Sequence, residues 1–202
     1  MENNRFKENV YQWLGMQKEG RAREAKQFYY DSLFDDVLQQ FSKKEDGKME
    51  GQTDLLFSVL GYSPEPIVIA AKFLNPKHHI IIQDLQVSNN EENAKIISKY
   101  LPGAVKVTLN DETFACIYDT LKEQMTLNPG RNCTINVTGG KKSMAACAGI
   151  FARDFNCNLI YIDYDQYDPD TRRPMPGSER MNLVYSPLRD MPELFHNDYS
   201  PF

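Results

Sequence analysis

Apolar residues recur along this chain with two different periods, and the period changes once. From 5 to 42 the spacing is helical: Phe6, Val10, Trp13 and Leu14 fall on one stripe, and Phe28, Leu33, Phe34, Val37, Leu38 and Phe41 on another. Gly15 and Gly20 are placed to interrupt these helices. The run 42–51 is polar and glycine-containing, which predicts an exposed linker. From 53 onward short apolar runs alternate with amphipathic stretches. The runs 55–60, 79–83, 105–109, 134–137 and 159–164 predict strands. The stretches 67–74, 91–100, 112–125 and 141–155 predict helices between them. Strands that are apolar on both sides and separated by helices imply a mainly parallel sheet covered on both faces. Right-handed crossovers make that an α/β, Rossmann-like, doubly wound domain with an N-terminal helical extension. The organisation read from the pattern is a helical extension and linker over 1–50, the Rossmann-like domain over 51–187, and a short tail over 188–202.

In such a sheet ligands bind beyond the carboxyl ends of the strands, where the strand order reverses. Two corners fall at that edge. After the first strand comes Gly61-Tyr62-Ser63-Pro64-Glu65-Pro66, with a glycine, a small hydroxyl donor and two prolines that stiffen the turn and start a helix. After the fourth comes Thr138-Gly139-Gly140-Lys141-Lys142-Ser143, opening a helix of small residues. Glycines permit close backbone approach, a helix start presents unpaired N–H groups, and two lysines add charge, so this corner suits a phosphate or another anion. It is not a P-loop, because the residue before Lys142 is Lys141 and the upstream glycine position holds Asn136. It is not a dinucleotide fingerprint either, since the glycines are adjacent and no third follows. ATP hydrolysis and NAD binding are therefore disfavoured. The competing reading is a plain strand-to-helix turn with solvated lysines. A third segment, 164–180, follows the fifth strand as a long ordered loop or hairpin. Its Arg172 and Arg173 could hold phosphate or stack on bases, and Asp165 or Asp168 could accept from an exocyclic amine or position an arginine.

Composition narrows the partners. The 202 residues carry a net charge of -5, which argues against a general nucleic-acid coat and requires any anion pocket to be local. No apolar run is long enough for a spanning helix, and the N-terminus lacks the apolar core of a signal peptide. Cys116, Cys133, Cys147 and Cys157 form no CxxC pair and read as reduced thiols of a cytoplasmic protein rather than metal ligands. No metal or cofactor is expected.

The three segments together resemble the CARF family, the CRISPR-associated Rossmann-fold domains that sense cyclic oligoadenylates. The matching residues are 55–66, Asn136-Val137-Thr138-Gly139-Gly140-Lys141-Lys142-Ser143-Met144, and 161–165 with 174–179. The likeness covers roughly 53–187, and the Thr-Gly-Gly-Lys corner is its most specific part. It implies a homodimer enclosing one two-fold cyclic oligoadenylate, with tetra-adenylate expected. Gly139, Gly140, Lys141, Lys142, Ser143 and Thr138 would receive ribose and phosphate, and Gly61, Tyr62, Ser63 and Pro64 would line the adenine pocket. It also implies an alternative, a metal-independent ring nuclease that cleaves the ligand. In that case Lys141 or Lys142 would supply charge, and Ser58, Ser63 or Ser143 would orient the ribose. The chain departs from the family where an effector would follow. The tail 188–202 offers no catalytic constellation, and His196 near Asp198 reads as solvated. The N-terminal helices balance acid and base, so no DNA binding is expected, and no membrane contact.

Overall fold

The structure is a computed structural model that describes residues 2–49 and 52–191. They fall into two compact units: the N-terminal helices together with Asp163–Arg180, and the chain from Met49 to Ile162 with the residues from Met181 on. The tail from 192, with His196 and Asp198, lies outside the described residues.

In the first unit the helical stripe becomes α1 (Glu2–Lys18), α2 (Ala22–Ser32) and α3 (Phe34–Glu45). Gly15 does not interrupt α1, whereas Gly20, at φ +75, ends it in the left-handed region. Phe6, Val10, Trp13, Leu33, Phe34, Val37 and Phe41 are buried, so the apolar spacing is the packing face. Tyr29 joins the helices by ring contacts with Trp13 (6.2 Å) and Phe34 (5.4 Å). The start of the expected linker is helical instead, since α3 continues to Glu45, where Lys43 and Lys44 complement its negative end. The segment 163–180 folds back on itself. Asp165 N–H donates to Ser178 O (2.9 Å), Tyr167 and Pro174 form an antiparallel bridge, and the Asp168 carboxylate closes the tip by accepting from Thr171 N and Oγ1, both at 2.8 Å.

The second unit carries β1 (Leu55–Val59), α4 (Glu65–Leu74), β2 (His78–Gln83), α5 (Leu85–Ser88), α6 (Glu91–Tyr100), β3 (Val105–Thr108), α7 (Phe114–Leu127), β4 (Cys133–Asn136) and α8 (Lys142–Asp154). β5 (Asn158–Tyr164), β6 (Glu179–Tyr185) and the single turn α9 (Pro187–Asp190) complete the elements. The strands form one sheet in the order β3-β2-β1-β4-β5-β6, and β1 runs parallel to both β2 and β4. β2–β3 and β4–β5 are parallel as well. All five residues of β1 are buried, as a central strand covered on both faces requires. Leu55, Phe57 and Val59 pack with Ile135, Leu121 and Phe151 on one side, while Ile81 packs with Ile67, Val87 and Ile97 on the other. The expected doubly wound α/β sheet is thus present. It has one strand, β6, and two single helical turns, α5 and α9, beyond those the pattern predicts.

Candidate functional site

The chain leaves β1 to build β2 and β3 on one side, then returns to place β4 on the other side of β1. The strand order therefore reverses between β1 and β4, the place where a crevice opens in such sheets. Each of these strands runs directly into one of the two corners singled out in the sequence.

The fourth-strand corner is set by Asn136, which is fully buried. Its Oδ1 accepts from Thr138 N (3.0 Å) and Thr138 Oγ1 (2.5 Å), and its Nδ2 donates to Pro66 O at the start of α4 (3.2 Å). Thr138 Oγ1 in turn accepts from Ile162 N–H of β5 at 2.7 Å. One buried amide thus ties both corners together. The glycines fit against each other rather than against open space. A Cβ on Gly61 would stand 2.7 Å from Gly140 N, one on Gly139 2.4 Å from Val59 O, and one on Gly140 2.2 Å from Val59 Cγ1. The close approach that glycine permits here is first of all that of one backbone to another.

Between the corners lies a cavity of about 240 Å³, lined by Gly61, Tyr62, Ser63, Pro66, Thr138, Gly139, Gly140 and Lys141, together with Asp84 and Val87. Pro64 is buried as the residue before α4 and is not part of the lining. Tyr62 is 71% exposed, and its carbonyl accepts from Asn93 Nδ2 at 3.0 Å. Helix α8 opens at the cavity edge with no side chain capping its first turn, so its leading N–H groups remain available. Helix α4, which opens at the same cavity after Pro64, has no side-chain cap either, whereas α5, α6 and α7 are capped by Asp84, Asn90 and Thr113. Lys142 and Ser143, the first two residues of α8, are exposed, and Lys142 makes no ion pair among the described residues.

Lys141 is different from Lys142. Its ammonium lies 3.2 Å from Asp84 Oδ2 and in still closer contact with Glu112 Oε1. Hydrogen bonding to Glu112 first, and to Asp84 next, holds its amine above the ordinary lysine value. Burial works to raise the Asp84 carboxyl, but the Val87 N–H bond and Lys141 outweigh it and leave that carboxyl low. The corner therefore offers one uncommitted lysine and one paired one.

Other expected contacts sit elsewhere. Ser58 is fully buried with its hydroxyl 2.9 Å from His79 Nε2, inside the sheet and closed to a ribose. Arg172 and Arg173 belong to the first unit, exposed at the tip of the hairpin; Arg172 takes the left-handed region at φ 55, and its N–H donates to Asp168 O. Asp165 pairs with Lys44 (2.6 Å) and Arg180 (3.0 Å), and Asp168 with Lys18 (3.6 Å), so both acids are engaged within that unit. Asp84, Asn93, Glu112 and Asn136 were not anticipated. The signal for two of them was positional: Asp84 directly follows β2, and Glu112 lies shortly after β3, both at the carboxyl edge of the sheet. Among the described residues no group of three His, Cys, Asp or Glu side chains is placed to hold a metal ion. No described helix is long and apolar enough to cross a membrane.

No protein-family model matches the chain. A curated relative, the CRISPR system endoribonuclease Csm6 of Thermus thermophilus, is 25% identical over 144 residues, which is 67% of this chain and 30% of the relative. Among solved structures, Can2 from Sulfobacillus thermosulfidooxidans in complex with cyclic tetra-adenylate is 24% identical over 55% of this chain and 32% of that one, at a TM-score of 0.46. Enterococcus italicus Csm6 bound to cyclic hexa-2'-fluoro-hexa-dAMP is 14% identical over 65% and 41%, also at 0.46. The chain spans less than half the length of each of these proteins. Over two thirds of its length this chain is thus similar in sequence to part of a CRISPR-system endoribonuclease, and its sheet has the Rossmann-like, doubly wound order.

Proposed function

We propose that this chain binds a cyclic oligoadenylate at the crevice between β1 and β4, as a homodimer whose two copies enclose one ring. The observation that carries the reading is the uncapped start of α8 at the switch in strand order, with the unpaired Lys142 on its first turn and the Gly61 corner across a cavity. The leading amides of α8 and the Lys142 ammonium take a phosphate. Ser63 and Ser143 hydroxyls face ribose oxygens, and the exposed Tyr62 ring stacks on an adenine. Thr138, Gly139 and Gly140 supply backbone contacts, and Pro64 stiffens the turn that presents Tyr62. A cyclic tetra- or hexanucleotide carries a two-fold axis, which an isologous dimer matches with two equal half-sites. The resemblance to CARF domains supports the ligand class, and the similarity to a CRISPR-system endoribonuclease supports the same setting.

We favour binding over metal-independent cleavage because, among the described residues, the cavity lining holds no histidine to act as general base. Incubation with cyclic tri-, tetra- and hexa-adenylate, followed by thermal shift and chromatography of the ligand, tests both. Stabilisation by cyclic tetra-adenylate with the ring intact is the expected result; conversion to linear di- or triadenylate makes the protein a ring nuclease. K142A is expected to weaken binding by about 10- to 150-fold, the loss of one charge-assisted phosphate contact. R172A and R173A, read in the same assay, assign or remove the hairpin arginines. A shift with NAD or ATP and none with any cyclic oligoadenylate sinks the reading.

A further inference from the structure

The two acids that hold Lys141 differ in kind. Asp84 is 6% exposed and fixed, its Oδ1 accepting from Val87 N–H at 2.7 Å as the cap of α5. The Glu112 side chain is 38% exposed and sits in the loop between β3 and α7. That loop is held by its neighbours, since Thr113 N and Oγ1 both donate to Asp111 Oδ1 (2.8 and 2.5 Å) and Thr113 caps α7. The carboxylate of Glu112 can therefore leave Lys141 without undoing the loop that carries it. While it stays, Lys141 presents two negative charges against its one positive charge to any approaching anion. Lys142, exposed on α8, is the other cation of the corner.

We propose that Glu112 is an internal occupant of a phosphate position on Lys141, exchanged for a ligand phosphate on binding, while Asp84 stays and aims the ammonium. The inference rests on the reading of this crevice as an oligoadenylate site, and it adds how the site rejects simple anions. A single phosphate gains Lys141 only by giving up an existing ion pair, so it gains little. A ligand that also fills the Tyr62 and Ser63 side of the cavity offsets that exchange with its other contacts. Glu112 thus lowers the affinity of the corner for every anion alike, so that only a ligand with further contacts binds appreciably.

The test uses the full chain and E112Q, which keeps shape and removes charge. Affinities for cyclic tetra-adenylate and for inorganic tripolyphosphate are measured by calorimetry, and the Lys141 side chain is titrated by NMR in protein labelled at lysine Cε. E112Q is expected to bind both ligands about two- to five-fold more tightly, the range of a partly exposed ion pair. It is also expected to titrate Lys141 at lower pH, and both gains are expected to vanish in K141A/E112Q. Unchanged or weaker binding of both ligands by E112Q overturns the inference, as does a gain that survives K141A. Tighter tripolyphosphate binding with no binding of any cyclic oligoadenylate keeps the exchange at Lys141 and removes the ligand assignment instead.

Discussion

Gly139 has no room for a side chain, because a Cβ there would meet a backbone oxygen 2.4 Å away that has no freedom to yield. Gly61 is in the same position against Gly140 N at 2.7 Å. G139A and G61A are each expected to cost about 1–3 kcal/mol, the usual price of overpacking, and to lower Tm by roughly 2–10 °C for a chain of this size. G103A, where nothing lies within 4 Å, is the matched control and is expected to stay within about 0.5 kcal/mol. Scanning calorimetry of the three variants decides it, and equal behaviour of G139A and G103A defeats the packing account. The glycines themselves were legible as a turn that needs small residues. What they face was not, since Gly61 and Gly140 are 79 positions apart and meet only because β1 and β4 pair. The same distance hid Asn136, which reads as a polar lapse in an apolar strand until Pro66 O is found at its amide. Lys141 and Lys142 are indistinguishable in sequence; only the fold brings Asp84 and Glu112 to one of them.

At the scale of elements, the central strands were legible because burial on both faces gives them short, mostly apolar runs, broken only by buried polar residues such as Ser58, His79 and Asn136. β6 was not, since Glu179–Tyr185 mixes buried and half-buried positions, follows a polar hairpin and forms one edge of the sheet. α5 is four residues long, too short to show a period, and its cap Asp84 was its one local mark. Two of these elements carry buried titratable groups with opposite effects. Burial raises the Glu179 carboxyl on β6 to about 7, against an ordinary 4.5. Between those values the folded chain holds a proton that the unfolded chain has lost, so this contribution to stability is present at low pH and lost as pH rises through about 7. Burial lowers His79 on β2 to about 4 from 6.5, so below 6.5 the unfolded chain takes up the proton first and stability falls as pH drops toward 4. Tm measured from pH 4 to 8 is therefore expected to fall less on the alkaline side in E179Q, and less on the acid side in H79Q. Unaltered slopes in both variants refute the assignment.

For the whole molecule, the net charge of -5 gives the chain no general attraction for a polyanion, so binding has to come from a few placed groups and from symmetry. Among the described residues each copy offers the uncapped starts of α4 and α8 and one unpaired lysine, Lys142, at its crevice, enough for one or two phosphates of a ring that carries several. Two copies related by a two-fold axis double those contacts on one ligand without any new residue, and the second half-site engages at high effective concentration. In the proposed homodimer association and binding are linked: a ring shared by two half-sites binds the dimer better than the single chain, so ligand favours association and dilution weakens binding. Calorimetry is expected to give roughly one ring per two chains, and light scattering to show the mass of two chains with ligand present. Apparent affinity is expected to fall on dilution below the concentration at which the free chain dissociates. One ring per single chain, with affinity independent of protein concentration, would place the whole ligand in one crevice and remove the need for symmetry.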